Sequence, residues 1–319
     1  MAGRTPRDVS ASVLARLKNL RTPDRDLNQL LQRFTAERFL YRLSISPEAD
    51  NFALKGATLF LVWCGDALRS TRDVDFVRYG YGDRDALRAT LASISAEQCP
   101  EDGMAFAPES IAMSDLPVDP DLPGRAVRAK LRGRLGNARL SLQVDVGFDE
   151  TITPGRKRAA IPTLLGHPAP VLWTVPRETA VAEKLHAMAR FQTRYTRIKD
   201  IWDVAALAVR FTFDGRTLRQ AVDHTFAQRG TIPTHALPPP LRASFYDEDR
   251  VSLWRSFQRS STVWAAAPAT LAEAGDIARE FLTPVWESAA REESFDLVWP
   301  PGGPWVRRTG PTGEGVGHD

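Results

Sequence analysis

The sequence predicts an α+β fold in which a lobe with a small mixed or antiparallel sheet is followed by a helical lobe. Three stretches carry the prediction. Residues 52–77 read as a strand, a glycine turn, an apolar helix and a second strand, and residues 126–147 read as a β-hairpin. Beyond residue 175 apolar residues recur at helical spacing. Strands and helices are therefore expected to segregate along the chain.

The chain is expected to divide into three parts. Residues 1–170 would form the sheet-containing lobe together with N-terminal helices, and residues 171–298 would form the helical lobe. Within the first part, Thr22 and Pro23 are expected to open the second helix as its cap and first residue. Residues 299–319 are rich in Pro and Gly and lack apolar periodicity, so a flexible tail is expected.

Two carboxylates are placed together by the strand that follows the apolar helix. Asp73 and Asp75 alternate with Val74 and Phe76, so the acids project from one face while the apolar residues enter the core. The Cα atoms of the two acids lie about 7 Å apart in an extended strand. Like charges at that separation repel, and a divalent cation relieves the repulsion. The pair predicts a metal site, with a solvated strand edge as the alternative.

The turn before the apolar helix carries groups suited to a phosphate. Gly56, Ala57 and Thr58 stand where a helix begins that runs to about Cys64. Backbone N–H groups, the Thr58 hydroxyl and the helix dipole would favour an anion there, although an ordinary helix cap has the same residues. Nucleotide chemistry on Mg²⁺ needs hydrogen-bond donors to phosphate beside paired carboxylates.

In this order the pieces resemble the minimal nucleotidyltransferase motif, Gly-Ser/Thr followed after a short interval by Asp-x-Asp. More narrowly, the segments LKGATLFLVW and RSTRDVDF resemble the AbiEii/AbiGii-type toxins. These are the nucleotidyltransferase components of type IV, abortive-infection toxin–antitoxin pairs, and are similar to the MenT-type tRNA nucleotidyltransferase toxins. The resemblance implies a nucleotidyltransferase-like first lobe with a small mixed or antiparallel sheet.

A hairpin is predicted around Gly136-Asn137, a dipeptide suited to a two-residue turn. Hydrophobicity alternates in residues 126–135 and 138–147, and the turn places Arg128 opposite Asp145. A slip of one residue would mix the polar and apolar faces, so the register is well specified. Asp145 has two interpretations. It matches the third carboxylate of the wider nucleotidyltransferase superfamily, and it can equally form a cross-strand ion pair with Arg128.

Two further motifs lie on predicted helices of the second lobe. AEKLHA places Lys184 beside the inward side of one helix, and RIKDIWDV places Asp200 and Asp203 on one face of the next. Taken alone, such residues are often solvated. Together the motifs resemble the later motifs of the toxin family, by which Lys184 would bind the triphosphate of the donor and Asp200 would be an essential acid.

Composition narrows the class of protein further. The chain has 319 residues, 43% of them hydrophobic, which suffices for one large or two modest globular domains. Its net charge of +3 and pI near 9.0 permit a nucleic-acid partner without requiring one. Cys64 and Cys99 offer no disulfide framework or cysteine metal site, which fits a reducing cytoplasm. No signal peptide or apolar stretch of membrane-spanning length is visible, so a soluble, cytoplasmic protein is expected.

The function implied by the resemblance is Mg²⁺-dependent transfer of a nucleotidyl group from an NTP to RNA. The resemblance, together with the basic residues named below, favours the 3′ end of tRNA as the acceptor. Extension of that end would block translation. The resemblance also implies a cognate antitoxin. The expected site residues are catalytic Asp73, Asp75, Lys184 and Asp200; metal-binding Asp73, Asp75 and Asp145; nucleotide-binding Lys55, Gly56, Thr58, Thr71 and Lys184; and RNA-binding Arg128, Lys130, Arg194, Arg197 and Lys199.

Three other classes of function stay open at this point. A small-molecule nucleotidyltransferase of the antibiotic-resistance type shares the first motif, but not the basic loops or the two later motifs. A non-catalytic nucleic-acid-binding module would share the basic surface without needing Asp73 and Asp75 together. A metal nuclease would also use paired acids, usually with further carboxylate or His ligands that the sequence does not show.

Overall fold

The computed structural model describes residues 6–23, 25–65, 73–80, 83–116, 126–260 and 268–308. The chain forms two compact units, residues 1–176 with 258–264 and residues 177–257 with 265–319. The first unit contains a seven-stranded mixed sheet, and the second is mainly helical with a small three-stranded sheet. The predicted α+β class, with a sheet lobe followed by a helical lobe, is confirmed.

The first unit combines the main sheet with helices from the N-terminal part of the chain. Its helices are α1 (Pro6–Asn19), α2 (Leu27–Ile45), α3 (Leu59–Cys64) and α4 (Arg84–Ala96). Its strands are β1 (Phe52–Lys55), β2 (Asp73–Arg78), β3 (Met104–Asp115), β4 (Ala126–Leu135), β5 (Ala138–Phe148), β6 (Lys157–Ala160) and β7 (Val171–Thr174). Helix α2 packs against β5 and β7, and α4 packs against β3, so the core lies between these helices and the sheet.

The strands of the main sheet are ordered β3-β4-β5-β2-β1-β7-β6, which makes β3 and β6 its edges. The β2–β5 and β1–β7 pairs are parallel, and the other pairs are antiparallel. The edge strand β3 is interrupted by a bulge between Ala107 and Ala112. Two strands that lie far apart in the sequence, β2 and β5, are thereby brought side by side.

The predicted hairpin is confirmed residue for residue. Leu135 pairs with Ala138 across the turn, and Arg128 pairs with Asp145. Gly136 has φ +58, a conformation that costs glycine little and most other residues more. Because the apolar residues of both strands enter the core, the polar residues share the other face.

Helix α2 begins at Leu27, so the expected start at Thr22 and Pro23 is wrong. The Asp26 carboxylate accepts from the backbone N–H of Gln29 at 2.8 Å, and the Gln29 side chain accepts from the Asp26 N–H at 3.2 Å. This reciprocal capping box satisfies two N–H groups that the helix itself leaves unpaired. It fixes the helix start more strongly than the preset φ of a proline.

A buried ion pair ties α2 to the beginning of β3. Arg42 donates to both carboxylate oxygens of Asp102, at 2.8 and 3.3 Å, and also to the backbone oxygen of Met104. The side chains of Arg42 and Asp102 are almost completely buried. Removing either partner of such a pair costs about 3–5 kcal/mol because the other charge stays buried.

The described residues beyond β7 form five α-helices and three short strands. The helices are α5 (Arg177–Phe191), α6 (Ile198–Arg210), α7 (Gly215–Gln228), α8 (Glu248–Ser260) and α9 (Leu271–Ala290). The strands are β8 (Phe213–Asp214), β9 (Leu297–Trp299) and β10 (Val306–Arg307), with β9 in the middle. None of the helices in the described part of the chain is long and apolar enough to cross a membrane.

Residues 299–308 are packed, which differs from the flexible tail expected there. The indole of Trp299 is buried and donates to the backbone oxygen of Ala208 at 2.7 Å. The Trp305 indole donates to the backbone oxygen of Phe281 at 2.9 Å and stacks on its ring. Two aromatic anchors thus hold a segment whose Pro and Gly content suggested disorder. Residues 309–319 lie outside the described part.

Candidate active site

Strand register brings charged side chains together on one face of the main sheet. Lys55 on β1 is paired with Asp75 on β2, Asp75 is level with Asp145 on β5, and Asp145 is paired with Arg128 on β4. Residues directly opposite each other project to the same face. Asp73 lies two positions from Asp75 and shares that face. We call the face that carries these five residues the charged face.

The predicted alternation of β2 is confirmed. Val74 and Phe76 are fully buried in the core, whereas Asp73 and Asp75 are half-buried. Carboxylate oxygens are the ligands that Mg²⁺ prefers, and Mg²⁺ is commonly held by one or two carboxylates together with phosphates of a substrate. The pair therefore fits a magnesium ion. The assignment of these residues as metal ligands stays a prediction.

The glycine turn and the paired acids meet in the structure. Gly56 has φ +75, and a Cβ atom added to it would lie 2.1 Å from Oδ2 of Asp75. Only a residue without a side chain leaves room for that carboxylate against the backbone. Two stretches that the sequence places on separate elements thus contact each other, which supports reading them as one site.

We expect Gly56→Ala to lower the predicted nucleotide-transfer activity by roughly 10²-fold, because the new methyl group displaces the Asp75 carboxylate by an ångström or more. The positive φ adds a stability cost of about 1–2 kcal/mol. Gly65→Ala is the matched control, since Gly65 has φ +74 and none of the described atoms lies within 4 Å of its added Cβ. Activity and thermal unfolding are measured for both variants. Equal losses of activity in the two would contradict a role for the Gly56–Asp75 contact.

The turn that contains Thr58 differs in detail from the predicted anion seat. Residues Gly56–Thr58 form a 3-10 turn, and the α-helix that follows has only six residues. The hydroxyl of Thr58 is buried and has no hydrogen-bond partner among the described residues. A buried hydroxyl without a partner is unfavourable. Binding of phosphate by Gly56 and Thr58 stays a prediction, and Thr71 lies outside the described residues.

Lys55 is held by a residue that sequence reasoning missed. Its ammonium lies 2.5 Å from Oε2 of Glu150, and the Tyr79 hydroxyl donates to the backbone oxygen of Glu150. A Cβ on Gly147 would lie 2.2 Å from Oε1 of Glu150, so a second glycine makes room for a carboxylate here. Burial raises the pKa of Tyr79 to about 12, so its hydroxyl stays protonated. Glu150 fixes the position of Lys55 beside Asp75.

Asp145 accepts two hydrogen bonds from Arg128, at 2.9 Å from Nε and 2.7 Å from Nη2. The predicted cross-strand ion pair is therefore present, and the hydrogen bonds to Asp145 raise the pKa of Arg128, with the charges of Asp73 and Asp75 contributing. Within the described ranges no group of three or more His, Cys, Asp or Glu is arranged to hold a metal ion. The role of Asp145 as a third ligand stays a prediction that the ion pair makes less favourable.

We expect Asp145→Asn to leave the affinity for Mn²⁺, a spectroscopic substitute for Mg²⁺, within about threefold of the unmodified protein, because Arg128 already occupies both oxygens of Asp145. Asp73→Asn and Asp75→Asn should each weaken it strongly. Electron paramagnetic resonance of free Mn²⁺ measures all three. An equally large loss in Asp145→Asn would establish Asp145 as a third ligand.

A second charged cluster lies within the second unit. The ammonium of Lys184 on α5 donates to Oδ1 of Asp200 at 2.7 Å and to Oδ2 of Asp203 at 2.8 Å, both on α6. Both carboxylates are almost completely buried, and the Lys184 side chain is 17% exposed. The prediction that Asp200 and Asp203 share one helix face is confirmed. The two later motifs are thus joined through their charged residues.

Arg197 and Tyr195 complete this cluster. Nε of Arg197 lies 2.6 Å from Oδ2 of Asp200, and the buried Tyr195 hydroxyl lies 3.4 Å from the same oxygen. Burial alone would raise the pKa of Asp200, but the charges of Lys184 and Arg197 lower it by more, so its pKa falls well below the usual range. Burial likewise raises the pKa of Tyr195. Asp200 is therefore ionised at neutral pH.

The residues predicted to bind RNA differ in how they are engaged. Lys130, Arg194 and Lys199 are exposed, whereas Arg128 and Arg197 are joined to Asp145 and Asp200. The sequence predicted RNA binding for all five, because it shows their charge but not their ion-pair partners. Their contact with RNA stays a prediction.

Comparison with known proteins gives the class of protein and then its family. Residues 38–270 match a family model described as "Nucleotidyl transferase AbiEii toxin, Type IV TA system". This match spans more than half of the chain. The protein therefore belongs to the AbiEii nucleotidyl transferase toxins of type IV toxin–antitoxin systems, as the sequence motifs predicted. Membership in this family implies a nucleotide substrate and an antitoxin partner.

Two solved structures are similar to this chain. JHP933 from Helicobacter pylori is 14% identical, with a TM-score of 0.43, and the alignment covers 82% of this chain and 92% of that one. A second H. pylori structure, provisionally described as a nucleotidyltransferase, is 15% identical, with a TM-score of 0.44 and coverage of 84% and 97%. No curated protein matches the sequence.

Proposed function

We propose that this toxin uses Mg²⁺ to transfer a nucleotidyl group from an NTP to an RNA acceptor, the 3′ end of tRNA. Extension of that end would prevent aminoacylation and block translation. The observation that carries the proposal is the contact between the Gly56 turn and Asp75, beside Asp73 on the charged face. Family membership supports the transferase chemistry, and the exposed cations Lys130, Arg194 and Lys199 support a polyanionic acceptor.

In this proposal Asp73 and Asp75 hold the magnesium ion. When bound, Mg²⁺ neutralises phosphate charge and lowers the pKa of a coordinated hydroxyl. The Gly56 turn positions Asp75, and an opening of this turn would expose the buried Thr58 hydroxyl as a donor to a phosphate oxygen. Lys55, held by Glu150 next to Asp75, supplies a positive charge on the same face. Lys55 and the residues that hold the metal would thereby stabilise the negative charge that develops on the leaving pyrophosphate.

Incubation with each labelled NTP and total tRNA, with Mg²⁺ or EDTA, tests the proposal. We expect label in tRNA only with Mg²⁺, and none in tRNA whose 3′ diol has been oxidised with periodate. Label in small hydroxylated or amino compounds instead of RNA would favour the small-molecule transferase. RNA cleavage without incorporation would favour a nuclease.

A further inference from the structure

Four cations form a strip on the charged face, beginning beside the paired acids. Lys130 of β4 is paired with Gln143, which is level with Asp73 on β2. Arg132 and Arg134 follow on the same face of β4, and Arg139 lies opposite Arg134 on β5. We call Lys130, Arg132, Arg134 and Arg139 the cation strip. It leads away from Asp73 over about 14 Å, the length of four strand residues.

The neighbours of the cation strip in the sheet are neutral. On β5, Ser141 and Gln143 face Arg132 and Lys130. On β3, the opposite residues are Ala105, Ala107 and Ala112. In an ordinary solvated sheet face, acids commonly stand across from cations because opposite charges stabilise the pair. No such acid stands in register with the strip.

The end of the strip is unfavourable for the isolated protein. Arg134 and Arg139 are exposed and directly opposite each other, and like charges in that position destabilise a strand pair. The side chains of the strip form no ion pair with any described residue, including Glu109 in the nearby β3 bulge.

Several other exposed arginines of this protein are paired with carboxylates. These pairs lie at separate places on the surface: Arg84–Asp115, Arg158–Asp50, Arg216–Asp296 and Arg291–Glu287. The four cations of the strip, in contrast, stand together without a carboxylate partner in the described part of the chain, next to the proposed metal site. A regular row of cations without acids is suited to a regular row of phosphates.

We infer that the cation strip binds the phosphodiester backbone of the RNA acceptor, upstream of the end that reacts. This inference rests on the proposed function and adds the course of the acceptor strand over β4 and β5. Contacts with phosphates alone would carry no sequence information, so the strip would hold any RNA strand of sufficient length. An acceptor of one or two nucleotides would not reach Arg134 and Arg139.

The test removes the like-charge pair with Arg134→Gln and Arg139→Gln together. The matched control, Arg255→Gln with Arg259→Gln, removes two exposed charges from α8. Binding of labelled single-stranded RNAs of about two and about twenty-four nucleotides is measured by fluorescence anisotropy across a salt series. We expect the strip variant to bind the longer RNA on the order of tenfold more weakly, with the log–log salt slope reduced by about 1.4 for two lost contacts.

The strip variant should bind the shorter RNA normally and unfold at a higher temperature than the unmodified protein, because a like-charge pair is gone. Equal affinities of the strip variant and the α8 control for the longer RNA would overturn the inference. If the strip variant is defective only in binding an acidic protein, the surface would be assigned to that partner instead. If no RNA is labelled by any NTP but the salt slope still falls, the proposed function fails and the RNA surface stands.

Discussion

Asp73→Asn or Asp75→Asn is expected to lower the rate of nucleotide transfer by at least about 10³-fold, since a metal ion contributes several kcal/mol of charge stabilisation in the transition state. Both carboxylates project from one face of β2, half-buried, and Gly56 leaves space for one of them. The fold should tolerate either change. Removing one of two neighbouring negative charges leaves the free energy of unfolding unchanged or slightly higher.

Incorporation of labelled NTP and thermal unfolding measure the two effects separately. Asp85→Asn is the control, because Asp85 is an exposed acid in the first turn of α4 within the same unit. Full activity of either Asp73→Asn or Asp75→Asn would contradict the proposed metal site. A loss of activity that merely follows loss of folded protein would point to a structural role.

Lys184→Met is expected to destabilise the protein by about 3 kcal/mol, because it leaves two buried carboxylates without the ammonium that both accept from. From the sequence alone, Lys184 could equally be a solvated surface residue whose replacement has little effect. If Lys184 also stabilises the donor triphosphate, transfer falls by roughly 10²-fold at temperatures where the variant is folded. Chemical unfolding and transfer assays separate the structural contribution from the catalytic one.

The pH dependence of stability should change sign in this variant. In the unmodified protein the pKa of Asp200 is lowered, so its contribution is present above the unfolded pKa and is lost only as pH falls through the lower folded value. Without Lys184, Arg197 still pairs with Asp200, but the buried Asp203 loses the ammonium that it accepts from. Burial then disfavours the ionised form of Asp203, so stability is lost as pH rises and this carboxyl ionises. Lys184→Met should therefore regain stability on acidification towards about pH 4–5.

Two further variants make this prediction specific. Lys199→Met removes an exposed lysine from the same helix as Asp200 and should cost less than about 0.5 kcal/mol. Asp203→Asn combined with Lys184→Met should recover part of the lost stability, because one buried charge is removed with its partner. No recovery, together with no change in pH dependence, would argue against charge as the cause.

Alternation and turn chemistry allowed much of the first unit to be predicted. The hairpin register followed from Gly136-Asn137 and from two strands that each keep apolar residues on one face. The pair Asp73 and Asp75 followed from the same two-residue period in β2. Such patterns are local, so they survive without knowledge of the partner strand.

Contacts between distant segments could not be predicted. Glu150 lies in a loop and meets Lys55 only because β5 is placed next to β2, and no periodicity marks it. Asp102 likewise contacts Arg42 from a short turn before β3. The sequence also showed the acids of RIKDIWDV as helix residues, but not that Lys184 neutralises both. Partners of charged residues depend on tertiary structure, and so does every assignment of an arginine to RNA or to an ion pair.

Both edges of the main sheet are poorly suited to accept another strand. The bulge and Pro108 interrupt β3, and β6 has only four residues, two of them the cations Lys157 and Arg158. Short, charged or bulged edges resist edge-to-edge pairing and the aggregation it leads to. A toxin accumulating in a cell can therefore stay dispersed without a protective partner. A protein that binds this unit is therefore expected to recognise its side chains rather than to add a strand to this sheet.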